Sequence, residues 1–214
     1  MILLIFATEL EAAPFIDYHR LRPPLKGHLL HPLYEGDGLS LTISGMGFLR
    51  GALALSQTLE IQQERGDPVT RVLNYGIAGS LTDRFSLGDA VGVHKVMKYN
   101  PVEFARPRFN KHFASAFPEI TVDEQGDDMV VLATSDHPVM TEEDARRAAR
   151  YAHLVDMEGY GYAFVAGNYG VPIRLIKGIS DFARKESEAL FSKQVKNAID
   201  SLLSYHASRL NGEE

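Results

Sequence analysis

The chain opens on a run that only a strand covered on both faces can satisfy. Residues 2–7, ILLIFA, are apolar at every position, and acids follow at Glu9 and Glu11. A strand with one wet face would alternate apolar and polar residues. An unbroken run of this length belongs in a sheet with helices on both sides. A secretory leader would start with basic residues and carry a longer apolar core, and no segment reaches the roughly 18 apolar residues of a membrane span. The expectation is a buried first strand in a cytoplasmic protein.

The same grammar continues along the chain. Apolar runs predict strands over 39–47, 71–75, 90–96, 129–133, 153–157 and 173–179, the one over 71–75 broken by GIAGS. Helical patterns fall over 9–18, 48–64, 142–151, 158–168 and about 186–208. Leu49, Ala52, Leu53 and Leu59 follow the 3.6-residue period in the second helix. Leu190, Val195, Ile199, Leu202 and Leu203 supply the inner side of the last, and Thr141 is placed to cap the third. Strands alternating with helices mean a largely parallel, covered sheet. The 214 residues show no linker-like shift, which predicts one domain spanning 1–214. A formal charge of −6 argues against a nucleic-acid partner, and the absence of cysteine excludes disulfides and thiolate metal sites. His19, His94, His112 and His153 have no short ligand spacing, so they read as core or surface histidines and no metal is expected. Residues 99–128, rich in Pro, Phe and charge, form an irregular excursion, with 99–113 a candidate subunit contact.

In open α/β sheets, ligands sit at the carboxyl ends of the strands, and four strand ends carry unusual residues. ATELEA places Glu9 and Glu11 after the first strand; their plainer reading is a pair of first-turn helix acids. NYGIAGS (74–80) is neither a Walker loop nor GxGxxG, and SGMGFLRG (44–51) has only part of the latter pattern, so no nicotinamide cofactor is expected. VDMEGYG (155–161) puts Met157 and Glu158 at a strand-to-helix junction. The two oxygens of Glu158 could accept both hydroxyls of a vicinal diol, or Glu158 could be a first-turn acid. KGISDFA (177–183) ends a strand on Asp181, either a general acid in a dry setting or a helix N-cap.

In this order these segments resemble the purine nucleoside phosphorylase/nucleosidase superfamily. The resemblance covers nearly the whole chain and rests on ATELEA, SGMG, NYGIAGSL with SLGDAV, VDMEG and ISDFA. Within the superfamily the chain is similar to the hydrolytic branch typified by methylthioadenosine/S-adenosylhomocysteine nucleosidase. The resemblance implies an α/β fold, a single-domain three-layer sandwich with a mixed, partly barrel-like central sheet, working without a cofactor. It implies that Glu11 activates water, that Asp181 protonates or hydrogen-bonds N7 of the purine, and that Met157 and Glu158 bind the ribose. Ile77 stands where these nucleosidases usually carry Ser or Thr. The base-covering segment falls on Ser135, Asp136, His137, Pro138 and Val139, without the usual aromatic stacker. His137, Pro138 or, from the other side, Phe182 are the candidates to replace it.

That assignment suits the chemistry. N-glycosidic cleavage passes through a ribosyl cation-like state. It needs a neutralised leaving base, a nucleophile on the opposite face and hydroxyl contacts that strengthen as charge develops. Phosphorolysis is the alternative, since Arg50, Arg84 and Arg106 could form an anion site. The family's phosphorylases have a glycine-aspartate-proline-like loop where this chain has Ala7-Thr8-Glu9-Leu10-Glu11, and Glu11 would repel phosphate. Futalosine hydrolases share the ATxLE-like start and GIAGS, and are the second substrate reading. A nucleoside-binding protein without turnover is the non-enzyme reading. The resemblance also implies a homo-oligomer, with a dimer as the expected form.

Overall fold

The computed structural model describes residues 1–24, 31–100, 117–122, 129–183 and 188–210. Its centre is strand β1, Ile2–Phe6, buried on both faces as the apolar run demands. Leu3 and Ile5 point into one core, with Leu55, Leu59, Tyr160 and Tyr162. Leu4 and Phe6 point into another, with Phe15, Leu41, Tyr75 and Leu202. The first core lies under helices α2 (Phe48–Glu64) and α4 (Gly159–Tyr169), the second under α1 (Glu9–His19) and α5 (Glu188–Leu210). A third, smaller cluster joins Met97, Ala133 and Val155 to Ala148 of α3 (Glu142–Ala148). Helices therefore cover both faces of the sheet, the three-layer arrangement expected. Each large apolar side chain taken fully from water contributes roughly 1.5–3 kcal/mol before entropy is charged against it.

Among the described residues the sheet has ten strands. β2 (Leu33–Glu35), β3 (Leu39–Ile43), β1, β4 (Arg71–Ser80), β9 (Leu154–Asp156), β8 (Val131–Ser135), β6 (Lys95–Tyr99) and β7 (Ile120–Thr121) follow one another, while β10 (Ile173–Asp181) pairs with β4 and with β5 (Ala90–Gly92). The β1–β3, β1–β4, β4–β10, β6–β8 and β8–β9 pairs are parallel; the β2–β3, β4–β9, β5–β10 and β6–β7 pairs are antiparallel. The sheet is thus mixed.

Several expectations change. GIAGS does not break the third strand; β4 runs ten residues through it. Its glycines make room for neighbouring side chains while the backbone stays extended. The single strand expected over 90–96 is two, β5 and β6, with different partners. β2 and β7 are short strands with little apolar pattern to announce them. Leu49 and Leu53 are exposed; α2 instead turns Gly51, Ala54, Leu55, Thr58, Leu59 and Gln62 inward. Leu190 is likewise exposed on α5.

β4 has three partners and therefore changes neighbours along one edge. Residues 71–74 pair with β1, and 79–80 with β9, while β10 follows the opposite edge from Val72 to Gly79. Tyr75 to Ala78 consequently have a strand neighbour on one side only. The sheet splits at this point, and the open edge of β4 faces the end of β1 and the start of α1.

Candidate functional site

Thr8 begins the construction. It caps α1 through a capping box: its hydroxyl oxygen accepts the Glu11 N–H at 3.3 Å, and Glu11 Oε2 accepts the Thr8 N–H at 2.9 Å and the Thr8 hydroxyl at 2.8 Å. Glu11 is thereby locked and almost fully buried. Its other oxygen, Oε1, accepts the Ile77 N–H at 3.1 Å, a donor left over where β4 loses its neighbour. One oxygen thus serves the helix cap, and the other is turned to the open edge of β4. Ile77 meets Glu11 through its backbone N–H, which any residue type but proline can offer.

One turn of strand away lies a fully buried lysine that the sequence reading passed over. Lys177 Nζ donates to Asn74 Oδ1 at 2.7 Å and pairs with Asp156 Oδ2 at 2.9 Å. Lys177 is paired in register with Gly76. A Cβ on Gly76 would stand 3.1 Å from Lys177 Nζ and 3.5 Å from Glu11 Oε1, so the bare glycine leaves a small space that ammonium and carboxylate both border. Asn74 is fixed in turn by donating through Nδ2 to the Ile5 carbonyl at 2.9 Å. Asp156 accepts two further bonds, from the Thr134 hydroxyl at 2.7 Å and the Gly159 N–H at 2.8 Å. A lysine inside the apolar run IRLIKGIS was the available signal, because a charge in a doubly covered strand must be paired.

Glu158 follows at the start of α4. It is 8 % exposed, and its Oε1 accepts the Gly47 N–H at 2.7 Å. Gly47 has φ +102, a backbone that side-chain-bearing residues rarely adopt, and it turns its N–H outward at the head of α2. Burial, then the neighbouring Asp156 charge, push the Glu158 carboxyl up to about 7; the Gly47 N–H and Lys177 oppose that shift, and Glu11 adds to it. Met157 beside it is half-buried.

Asp181 ends β10 after a shift of register: Ile179 pairs with Ala78, and Asp181 with Gly79. The irregularity re-aims the side chain, as bulges beside sites commonly do. Its Oδ1 accepts the Ala183 N–H at 2.7 Å and its Oδ2 the Ser180 hydroxyl at 2.7 Å. Ala183 takes φ +51 to make that return bond, a left-handed geometry that costs a non-glycine residue about 1–2 kcal/mol. A Cβ on Gly79 would lie 2.8 Å from Asp181 Oδ1. The glycine thus lets the carboxyl lie on β4 itself. Ile77, which holds Glu11, and Gly79 are two residues apart, about 7 Å along a strand.

The base-covering candidates are placed less centrally. Asp136 pairs with Lys98 at 2.6 Å, and His137 is exposed, its N–H 3.4 Å from the Ser135 hydroxyl. Val139 packs against the small cluster under α3. Phe182 stands in the wall of a cleft of about 300 Å³ between residues 80–83 and α3. Tyr160 and Tyr162 are buried in the core: the Tyr162 hydroxyl lies 2.6 Å from the Ser44 hydroxyl, and the Tyr160 hydroxyl donates to the Pro118 carbonyl at 3.0 Å. The histidines have structural partners too, His153 accepting the Val131 N–H and His19 meeting His206. Among the described residues no group of three His, Asp or Glu could hold a metal, and no helix is long and apolar enough to cross a membrane. Arg106, His112 and most of the candidate subunit contact lie outside the described residues.

The sequence model of the phosphorylase superfamily matches residues 1–205. A 5′-methylthioadenosine/S-adenosylhomocysteine nucleosidase of Halalkalibacterium halodurans is 24% identical over 185 residues, 77% of this chain and 76% of that protein. Among solved structures, the futalosine hydrolase of Helicobacter pylori superposes with a TM-score of 0.81 at 20% identity, covering 99% of this chain and 97% of its own. The 5′-methylthioadenosine nucleosidase of Arabidopsis thaliana gives 0.82 at 17% identity, covering 100% and 95%.

Proposed function

The chain belongs to the phosphorylase superfamily, and from that premise we propose that it is a purine nucleoside N-ribosyl hydrolase acting on nucleosides of the methylthioadenosine/S-adenosylhomocysteine type. The observation that carries the reading is the split edge of β4, where one strand serves two carboxyl groups: Glu11 on the Ile77 N–H and Asp181 against Gly79. A nucleoside lying along that edge meets a base for water at one end and a hydrogen-bonding acid for the purine at the other.

In this mechanism Glu11 Oε1 takes a proton from water as the water oxygen bonds to C1′. The C1′–N9 bond breaks, its electron pair goes to the purine, and Asp181 supplies a proton to N7. Glu158 accepts from the ribose hydroxyls, contacts that tighten as the sugar becomes cationic. Lys177 keeps three carboxylates compatible in one buried place. Water is consumed, and free base and free sugar are released. A second substrate reading, futalosine, is supported by the likeness to the Helicobacter pylori enzyme.

Exposed Leu10 and Met46, sequence neighbours of Glu11 and Gly47, with Leu49 and Leu53 of α2, support the homo-oligomer expectation; sedimentation of the purified chain tests it. The test of the activity is release of free base from methylthioadenosine, adenosylhomocysteine, adenosine, inosine and futalosine, each with and without phosphate. Release from none of them ends the enzyme reading and leaves the binding protein. A strict need for phosphate replaces hydrolysis by phosphorolysis. Asp181→Asn is expected to lower turnover by roughly 10²–10⁴-fold with an unchanged fold.

A further inference from the structure

The turn that presents the Gly47 N–H to Glu158 cannot hold itself. Residues 44–47 carry two glycines with positive φ, Gly45 at +78 and Gly47 at +102, and Met46 between them is 63% exposed. Glycine backbones in this region have few steric walls to keep them there. A fixed amide at Gly47 therefore needs a hold from outside the turn.

α4 supplies that hold at two points. Glu158, its N-cap, accepts the Gly47 N–H at 2.7 Å. Tyr162, four residues on, is fully buried, and its hydroxyl lies 2.6 Å from the Ser44 hydroxyl. The proton count gives that contact a direction. Ser44 has one hydroxyl proton and two carbonyls within reach, Gly45 at 2.8 Å and Phe6 at 3.2 Å. The short bond to Tyr162 is therefore one in which the phenol donates. Burial, and then the Glu158 charge, push the Tyr162 phenol well above its usual range, which keeps the proton on it. Ser44 is itself tied to the end of β1, since its N–H also donates to the Phe6 carbonyl at 2.8 Å. Tyr162 thus closes a chain from α4 through Ser44 to the Gly45 carbonyl, at the opposite end of the turn from Gly47.

α2 makes room for this chain. A Cβ on Gly51 would stand 2.9 Å from Tyr162 Cε1 and 3.4 Å from its Cζ. Glycine is disfavoured inside a helix, and here it lets the ring lie against α2 and reach Ser44. Phenylalanine would fill the same space; only the hydroxyl reaches the turn.

We propose that Tyr162 is a positioning residue for Glu158: through Ser44 it fixes the 44–47 turn, and the turn offers the Gly47 N–H that aims the Glu158 carboxyl. This rests on the nucleosidase reading for what Glu158 grips, but not for how Glu158 is held.

Two measurements test it. The first needs no substrate: amide hydrogen exchange followed by NMR. In Tyr162→Phe the Gly47 amide is expected to exchange roughly five- to tenfold faster, the size of one lost hydrogen bond, while amides of β1 and β4 keep their rates. Ser44→Ala should do the same, and the double variant no more than either single one, because the two hydroxyls act in series. The second reads the sugar contact: calorimetric binding of adenosine and 2′,3′-dideoxyadenosine, which differ only in the diol, to the Asp181→Asn protein. Adenosine is expected to bind about tenfold or more tightly. Adding Tyr162→Phe should cut that preference about threefold or more and leave the affinity for the dideoxynucleoside unchanged. A side chain that only filled the core would weaken both ligands alike. An unchanged Gly47 exchange rate, an unchanged diol preference, or a Ser44→Ala protein that behaves like the parent overturns the proposal. Failure of the nucleosidase reading looks different: neither nucleoside binds, or the diol brings no preference even with Tyr162 in place, while Gly47 exchange still reports how Glu158 is held.

Discussion

Lys177 Nζ stands 2.9 Å from Asp156 Oδ2, with both side chains almost completely buried. Asp156 also receives the Thr134 hydroxyl and the Gly159 N–H, so it holds three donors and its charge is well met. Glu11 likewise holds three, from Thr8 twice and from Ile77, whereas Glu158 accepts from the Gly47 N–H. Lys177 is therefore the cation on which the stability of the cluster turns. Lys177→Met strands Asp156, and breaking one side of a buried pair costs about 3–5 kcal/mol. Urea unfolding should show a loss of that order, and base release should fall with it. Asp156→Asn added to Lys177→Met should recover part of the stability, since the uncompensated charge goes too. A Lys177→Met protein within about 1 kcal/mol of the parent would remove the pair from this account.

Gly161 answers a different question, why two glycines follow Glu158. A Cβ at Gly161 would lie 2.6 Å from the Phe48 carbonyl oxygen, a backbone atom of α2 that cannot rotate away. The glycine sets how closely α4 crosses α2 at the N-terminal ends that carry Glu158 and Gly47. Gly161→Ala should destabilise by roughly 1–3 kcal/mol, the usual cost of overpacking. Gly167 on the same helix has nothing within 4 Å of its Cβ position. Gly167→Ala should be neutral or gain about 0.5–1 kcal/mol from helix propensity. Thermal melts of the two variants make the comparison; equal effects would show that helix propensity, not the crossing, governs both.

The layers of the fold were legible because the strands that build them are buried on both faces. ILLIF has one reading, and β3, β8 and β10 are nearly as plain. Edge strands β2 and β7 have too little apolar surface to show a period. β4 was misjudged because glycine in a strand reads as a break, whereas Gly76 and Gly79 are there to admit Lys177, Glu11 and Asp181. Glu11, Glu158 and Asp181 each stood out as carboxyls at strand ends. Lys177, Asp156, Asn74 and Thr134 did not, because a polar residue inside a strand declares its partner only when the strands are laid side by side. The inner face of α2 was misread because Leu49 and Leu53 fit the helical period yet face outward.

The Glu158 carboxyl, pushed up from 4.5 to about 7 by burial and by Asp156, gives both activity and stability a pH signature. If the clamp must accept from two hydroxyls it must be ionised, so base release should rise through an acid limb near pH 7. For stability the sign is reversed. Between about 4.5 and 7 the folded protein holds a proton at Glu158 that the unfolded chain has lost, so this group's contribution falls as pH rises through that window. At about 1.4 kcal/mol per unit the change is on the order of 3 kcal/mol. Glu158→Gln should remove it. Urea unfolding of both proteins at pH 5 and pH 7.5 measures the difference in slope, and identical slopes would show that Glu158 titrates normally.

His206 works in the opposite direction on the far face of the sheet. Its Nδ1 meets the Tyr75 hydroxyl at 2.9 Å and its Nε2 meets His19 Nε2 at 2.7 Å, within a nest that includes Phe15. Burial, and then the nearby His19, pull it down from 6.5 to about 4. Between those values the unfolded chain binds a proton that the folded protein refuses, so stability is lost as pH falls from about 6.5 toward 4. The loss by pH 5 is on the order of 2 kcal/mol. It runs against the Glu158 contribution over most of the same range, and the parent protein should therefore look flatter in pH than either group alone. His206→Gln keeps a hydrogen-bonding side chain but cannot take up the proton. Its stability relative to the parent should improve steadily from pH 7 to pH 5, and a constant difference between the two proteins across that interval would mean that His206 is not the group responsible.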